Sequence, residues 1–251
     1  VGQTTTRSTA MTGPALADHV AALAEQVFAT ADRLRQGAEE IFAVAGRAGR
    51  PVTSADLTPL RPRVIAALGG LITGAGVITG PLTDDLPGLE WWMGSGPEQR
   101  SRLVLDVDPD SDTFVDLSRL PWFAVPRETG RRHVTGPYVD YVCAEEYTLT
   151  FTVPVRDGAA VTGIAGADVT VGDLERALRP AMRPAGSTVA LVNTHGRVIA
   201  GSTAQHITGS LIRDPQIRAA LDERTTRTLP GGVRIDPCTA LPLAVITWRR
   251  G

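Results

Sequence analysis

The sequence predicts an α+β fold in which one long helix serves two antiparallel sheets. Three observations carry this. Apolar residues recur at helical spacing from Pro14 to about Ala45, short strand patterns begin after Gly69-Gly70, and a second cycle of them starts at Gly186.

The helix comes first. Leu16, Val20, Leu23, Val27, Leu34, Ile41 and Phe42 fall at three- and four-residue steps, with Ala31 and Ala38 between them. At 1.5 Å per residue such a helix is about 45–50 Å long, more than one small module needs. Gly46, Gly49 and Pro51 end it. A second, shorter helix is expected with Thr58 as N-cap and Pro59 at its first position.

Strands follow. Val77–Thr79, Leu89–Trp92 and Leu103–Val107 are separated by Gly, Pro and Asp clusters. In Tyr147–Val155 apolar residues alternate with threonines, and Asp157-Gly158 predicts a tight turn. The return strand runs through Val161 and Ile164 to Val169, and Gly172–Met182 reads as a helix. The second cycle holds a hairpin around His195-Gly196, a helix capped by Asp214, and two last strands near Val233–Ile235 and Leu243–Trp248. The implied division is a disordered segment 1–13, a larger module 14–185 containing the long helix, and a smaller one 186–251.

Composition narrows the chemistry. All 25 basic residues are arginine, so the lysine-dependent reactions, Schiff bases and the phosphate-loop lysine among them, are excluded. A net charge of −2 gives nucleic acid no basic footprint. Cys143 and Cys238 are 95 residues apart, without metal-knuckle spacing, and read as buried thiols. No apolar run reaches the roughly 18 residues of a membrane span. Residues 1–13 lack the hydrophobic stretch of a signal peptide. A valine at position one, from a GTG start codon, predicts a free-standing cytoplasmic protein. The alternative is an extracytoplasmic domain cut from a membrane receptor.

The usual catalytic patterns are missing. The four histidines are scattered, and no Gly-x-Ser-x-Gly elbow occurs. Gly74-Ala75-Gly76 runs on toward Pro81 instead of into the helix a dinucleotide loop requires. Asp106, Asp108, Asp110 and Asp112 lack the glycine and closing glutamate of a calcium loop and read as a solvated acidic turn. No cofactor, metal or catalytic residue is expected, and the chain reads as a binding module; the lesser alternative is an enzyme of unrecognised type, with Tyr138, Asp140 and His133 as acid–base groups.

Between Phe114 and Asp168 the residues suit a small cation. Trp122 and Phe123 follow Pro121, Tyr138-Val139-Asp140 follows a loop, and Asp168 ends a strand of small residues. Aromatic faces attract an ammonium group and a carboxylate adds a charge-assisted hydrogen bond. An internal arginine paired to Asp168 is the competing account. Of the adjacent Trp91 and Trp92, strand alternation lets at most one line a pocket. A loop of Arg127, Arg131, Arg132 and His133 is an alternative clamp, for a small organic acid.

These residues bear a resemblance. Arg119-Leu-Pro-Trp122-Phe123, Tyr138-x-Asp140 and Gly-Ile-Ala-Gly-Ala-Asp168-Val resemble the amino-acid-binding motif of double Cache sensor domains. The resemblance implies a long N-terminal helix, a larger pocket-bearing PAS-like module and a smaller second one. It implies that Asp168 and Asp140 hold an α-ammonium, that Tyr138 packs or hydrogen-bonds beside it, and that Trp122 and Phe123 wall the pocket. It also implies a separate signalling partner and a homodimer through the long helix. Two positions depart from the pattern. Phe123 replaces a tyrosine, and Arg119 stands three residues before Trp122 instead of two. A simple amine or an ω-amino acid is therefore as compatible as an ordinary amino acid.

Overall fold

The computed structural model describes residues 11–94, 99–106, 108, 110–139, 146–183 and 186–249. The N-terminal segment 1–10, Asp140 and Cys143 lie outside these. The chain divides into two compact units, residues 25–170 and residues 1–24 with 171–251.

Helix α1 (Gly13–Arg47) is continuous, and its residues up to Ala24 count with one unit and those from Glu25 with the other. Of its apolar stripe, Leu16, Val20, Val27, Leu34 and Phe42 are nearly inaccessible, while Leu23 and Ile41 are half-buried. The division differs from the sequence expectation at both ends. Helix α4 (Val171–Leu178) packs on strand β8 (Val198–Gly201), and Met11 donates to the carbonyl of Ala181. Burial of the α4 face (Val171, Leu174, Leu178) thus assigns this segment to the smaller unit.

In the larger unit, six strands form an antiparallel sheet in the order β3-β2-β1-β6-β5-β4. They are β1 (Gly74–Pro81), β2 (Pro87–Met93), β3 (Ser101–Arg102), β4 (His133–Val139), β5 (Tyr147–Asp157) and β6 (Ala160–Thr170). The Asp157-Gly158 turn joins β5 to β6 as its chemistry requires, with Gly158 at positive φ. One sheet face meets α1, where the rings of Phe28 and Phe151 pack edge to face at 5.3 Å. On that face the fully buried Glu90 carboxylate accepts from Arg61 Nε at 2.9 Å and Trp92 Nε1 at 2.6 Å.

Four local elements differ from expectation. The strand expected at Leu103–Val107 lies instead at Ser101–Arg102, and none of the described residues 103–106 is in a strand. Ser54–Leu60 is a 3-10 turn, with Pro59 inside it, and α2 starts only at Arg61 (Arg61–Ala67). Asp56 holds that turn, accepting from the Thr53 amide and hydroxyl and from Arg50. Helix α3 (Pro121–Thr129), opened by Pro121 and closed by Gly130 in the left-handed region, occupies a segment with no helical reading. Strand β4 takes His133 from the end of the supposed basic loop and runs through the loop expected before Tyr138. It carries Gly136-Pro137 in its middle, which an edge strand tolerates.

In the smaller unit, β7 (Ser187–Asn193), β8, β9 (Arg227–Leu229), β10 (Val233–Pro237) and β11 (Leu243–Arg249) form a sheet in the order β8-β7-β11-β10-β9. Helix α5 (Pro215–Glu223), capped by Asp214 as expected, lays Ile217, Ala220 and Leu221 on Ala190, Ile235 and Ile246. The Cys238 thiol is buried, and burial pushes its pKa up to about 12.

Candidate functional site

Antiparallel register decides which side chains share a face. Thr135, Thr150, Asp168, Gly74 and Met93 stand opposite one another across β4, β5, β6, β1 and β2. The adjoining row on the same face is His133, Thr152, Gly166, Gly76 and Trp91. This is the face turned away from α1, because Phe151 alternates with Thr150 and Thr152.

Asp168 sits near the centre of the sheet, 5% exposed. Its Oδ1 accepts the Thr150 hydroxyl at 2.7 Å. Thr150 Oγ1 also lies 2.7 Å from the Tyr138 hydroxyl. Threonine has one hydroxyl proton, so Tyr138 is the donor in that contact and the relay runs Tyr138 to Thr150 to Asp168. The structure therefore brings two of the expected residues together through one that sequence reasoning did not single out.

Glycine at two positions makes the floor. A Cβ on Gly74 would stand 2.6 Å from Asp168 Oδ2 and 3.2 Å from Trp91 Nε1. A Cβ on Gly166 would stand 3.2 Å from Cη2 of the same indole. The Trp91 ring thus lies over bare backbone, its Nε1 beside the Asp168 carboxylate. Of the tryptophan pair, Trp91 is the one on this face, and Trp92 points to Glu90 on the other. The signal was available as Gly74, Gly76 and Gly166 on neighbouring strands, once those strands are paired.

Farther along the face, Phe123 of α3 packs with Ile78, Ile164, Leu103 and Trp91, and Trp122 packs on the same cluster. The two α3 rings meet edge to face at 6.0 Å. Of the remaining expected residues, Arg119 lies elsewhere. Arg119 is 86% exposed and paired with Asp116 at 3.0 Å, because it sits in the 3-10 turn Leu117–Arg119 that precedes α3. Asp140 is outside the described residues.

The basic group does not form a clamp. Arg132 makes two hydrogen bonds to Glu25 and lies over Phe28 on the α1 side. Arg127 lies over the Phe123 ring, and Arg131 is exposed. His133 alone reaches the Asp168 face, half-buried, its pKa lowered by desolvation. In the acidic turn, Asp106 accepts the Ser111 and Thr113 hydroxyls and the Asp108 amide. Among the described residues no cluster has the make-up of a metal site, and no helix is long and apolar enough to cross a membrane.

No protein-family model and no curated protein sequence matches the chain. Solved structures do. The extracellular domain of the histidine kinase mmHK1S-Z3 superposes with a TM-score of 0.65 at 12% identity, covering 94% of this chain and 90% of that one. The periplasmic sensory domain of the Campylobacter jejuni chemoreceptor Tlp1 gives 0.64 at 10% identity, covering 94% and 91%. The ligand-binding domain of the Pseudomonas aeruginosa PAO1 amino acid chemoreceptor PctB, in complex with L-arginine, gives 0.58 at 16% identity, covering 94% and 92%. Two of these domains are extracellular or periplasmic, which corrects the expectation of a cytoplasmic protein. The chain has the fold of the double Cache sensor domains of histidine kinases and chemoreceptors, a long helix with two antiparallel sheets.

Proposed function

We propose that this chain is an extracytoplasmic ligand-binding domain of a sensor, and that it recognises the ammonium group of a small amine or amino acid at Asp168. One observation carries the reading. A buried carboxylate, braced by the Tyr138–Thr150 relay, shares a glycine-cleared face with the indole of Trp91. An ammonium there meets a carboxylate and an aromatic ring together, in a site screened from water. Trp122 and Phe123 supply the apolar wall beyond it.

Occupancy would pass to a separate signalling partner. Pairing of two copies along α1 belongs to the same reading, and light scattering with and without ligand tests it.

The test is calorimetric titration of n-butylamine, 4-aminobutanoate and L-arginine into wild-type protein and Asp168→Asn. Removing one member of a desolvated charge pair costs about 3–5 kcal/mol, so affinity should fall several hundred-fold or more. Unchanged affinity in a folded Asp168→Asn protein would sink the proposal.

A further inference from the structure

Three buried polar atoms in the two rows around Asp168 have no hydrogen-bond partner among the described residues: Thr135 Oγ1, Thr152 Oγ1 and Trp91 Nε1. Native proteins rarely leave such atoms unsatisfied, and each one points to a group that the described residues do not supply. Thr135 faces Thr150 from β4, and Thr152 follows it along β5, so the two hydroxyls lie on one side of Asp168. His133 stands opposite Thr152 on the same face, its pKa lowered by burial. Neighbouring strands are about 4.8 Å apart, which puts Thr135 roughly 10 Å from Asp168 at the Cα level. After both side chains are allowed for, a ligand of about four or five bonds spans that gap.

The chemistry of this second pole is uncharged. Hydroxyls donate and accept, and burial disfavours a charge on the His133 ring beside them. The cations nearest in sequence are committed elsewhere: Arg119 to Asp116, Arg132 to Glu25, and Arg127 to the Phe123 ring. Arg100 also has a buried, unpartnered Nε. However, the alternation that sets Ser101 with Met93 and Arg102 with Trp92 carries Arg100 to the Glu90 side. A carboxylate placed against Thr135 and Thr152 would be desolvated without a positive partner, which is costly. A carboxamide or hydroxyl would satisfy the same atoms at no such cost.

We infer that the hydroxyls of Thr135 and Thr152 receive an uncharged polar group, so the ligand is a small amine with an amide or hydroxyl tail. This rests on the ammonium reading of Asp168. It departs from the free amino acids named for the structurally similar receptor domain.

The experiment titrates 4-aminobutanamide, 4-aminobutanoate and n-butylamine into wild type, Thr135→Val, Thr152→Val, Arg100→Gln and Asp168→Asn. Valine keeps the shape of threonine and removes only the hydroxyl. The amide should bind about tenfold tighter than the other two, and each valine variant should remove much of that advantage while leaving n-butylamine unchanged. Melting temperatures of the unliganded valine variants should hold or rise, since an unsatisfied hydroxyl has gone. Tighter binding of 4-aminobutanoate, weakened selectively by Arg100→Gln, overturns the inference. So does an amide preference that survives both valine substitutions. Equal binding of all three probes, lost in Asp168→Asn, overturns this inference alone. Binding of none overturns the ammonium reading and this inference together.

Discussion

The Thr150 hydroxyl donates to Oδ1 of Asp168 from directly across the β5–β6 ladder, at 2.7 Å. Two residues 18 positions apart are thereby fixed as one unit, and the Tyr138 hydroxyl locks the donor in place. Thr150→Val should take a donor from a buried carboxylate and destabilise the protein by about 1–3 kcal/mol. Denaturant titration measures this. Tyr138→Phe should act in the same direction, because the Thr150 hydroxyl loses the donor that holds it.

Gly74→Ala tests the floor of the site. The added methyl would stand 2.6 Å from Asp168 Oδ2, so the carboxylate must move or the strands must part. Overpacking of this kind costs about 1–3 kcal/mol. Amine binding should weaken at least as severely as stability does. Calorimetry on the folded variant showing wild-type affinity would mean that the carboxylate is not where the ligand sits.

Arg119→Ala should change neither stability nor amine affinity by more than about 0.5 kcal/mol, because the side chain is exposed and its pair with Asp116 is a surface one. A large loss of affinity for 4-aminobutanoate in this variant would instead restore Arg119 as a carboxylate ligand.

Stability should fall with pH in two separate windows. Burial lowers the pKa of His133 and His206 below the ordinary 6.5, so below that value the unfolded chain binds protons the folded one does not. Folding free energy is therefore lost as pH drops from about 6.5 through the folded values. The Asp56 carboxyl, lowered to about 2 by Arg50 and Thr53, loses its contribution only between roughly pH 4 and pH 2. Replacing both histidines by glutamine should flatten the upper window and leave the lower one. Melting curves from pH 3 to pH 8 check the sign.

The elements legible in the sequence are those with a long period or an unambiguous turn. Helix α1 repeats its apolar positions over nine turns or so, and β5 and β6 combine strict alternation with Asp157-Gly158. Those local patterns determined the fold class and the two cycles of strands. Helix α3 escaped because nine residues with two prolines carry little periodicity, and β4 because Gly136-Pro137 imitates a loop. Tertiary structure alone decided which face each residue joins, since one strand's facing depends on the register of its neighbours. That is why Trp91, Thr135, Thr150 and Thr152 enter the site while Arg119, close in sequence to Trp122, turns outward to Asp116.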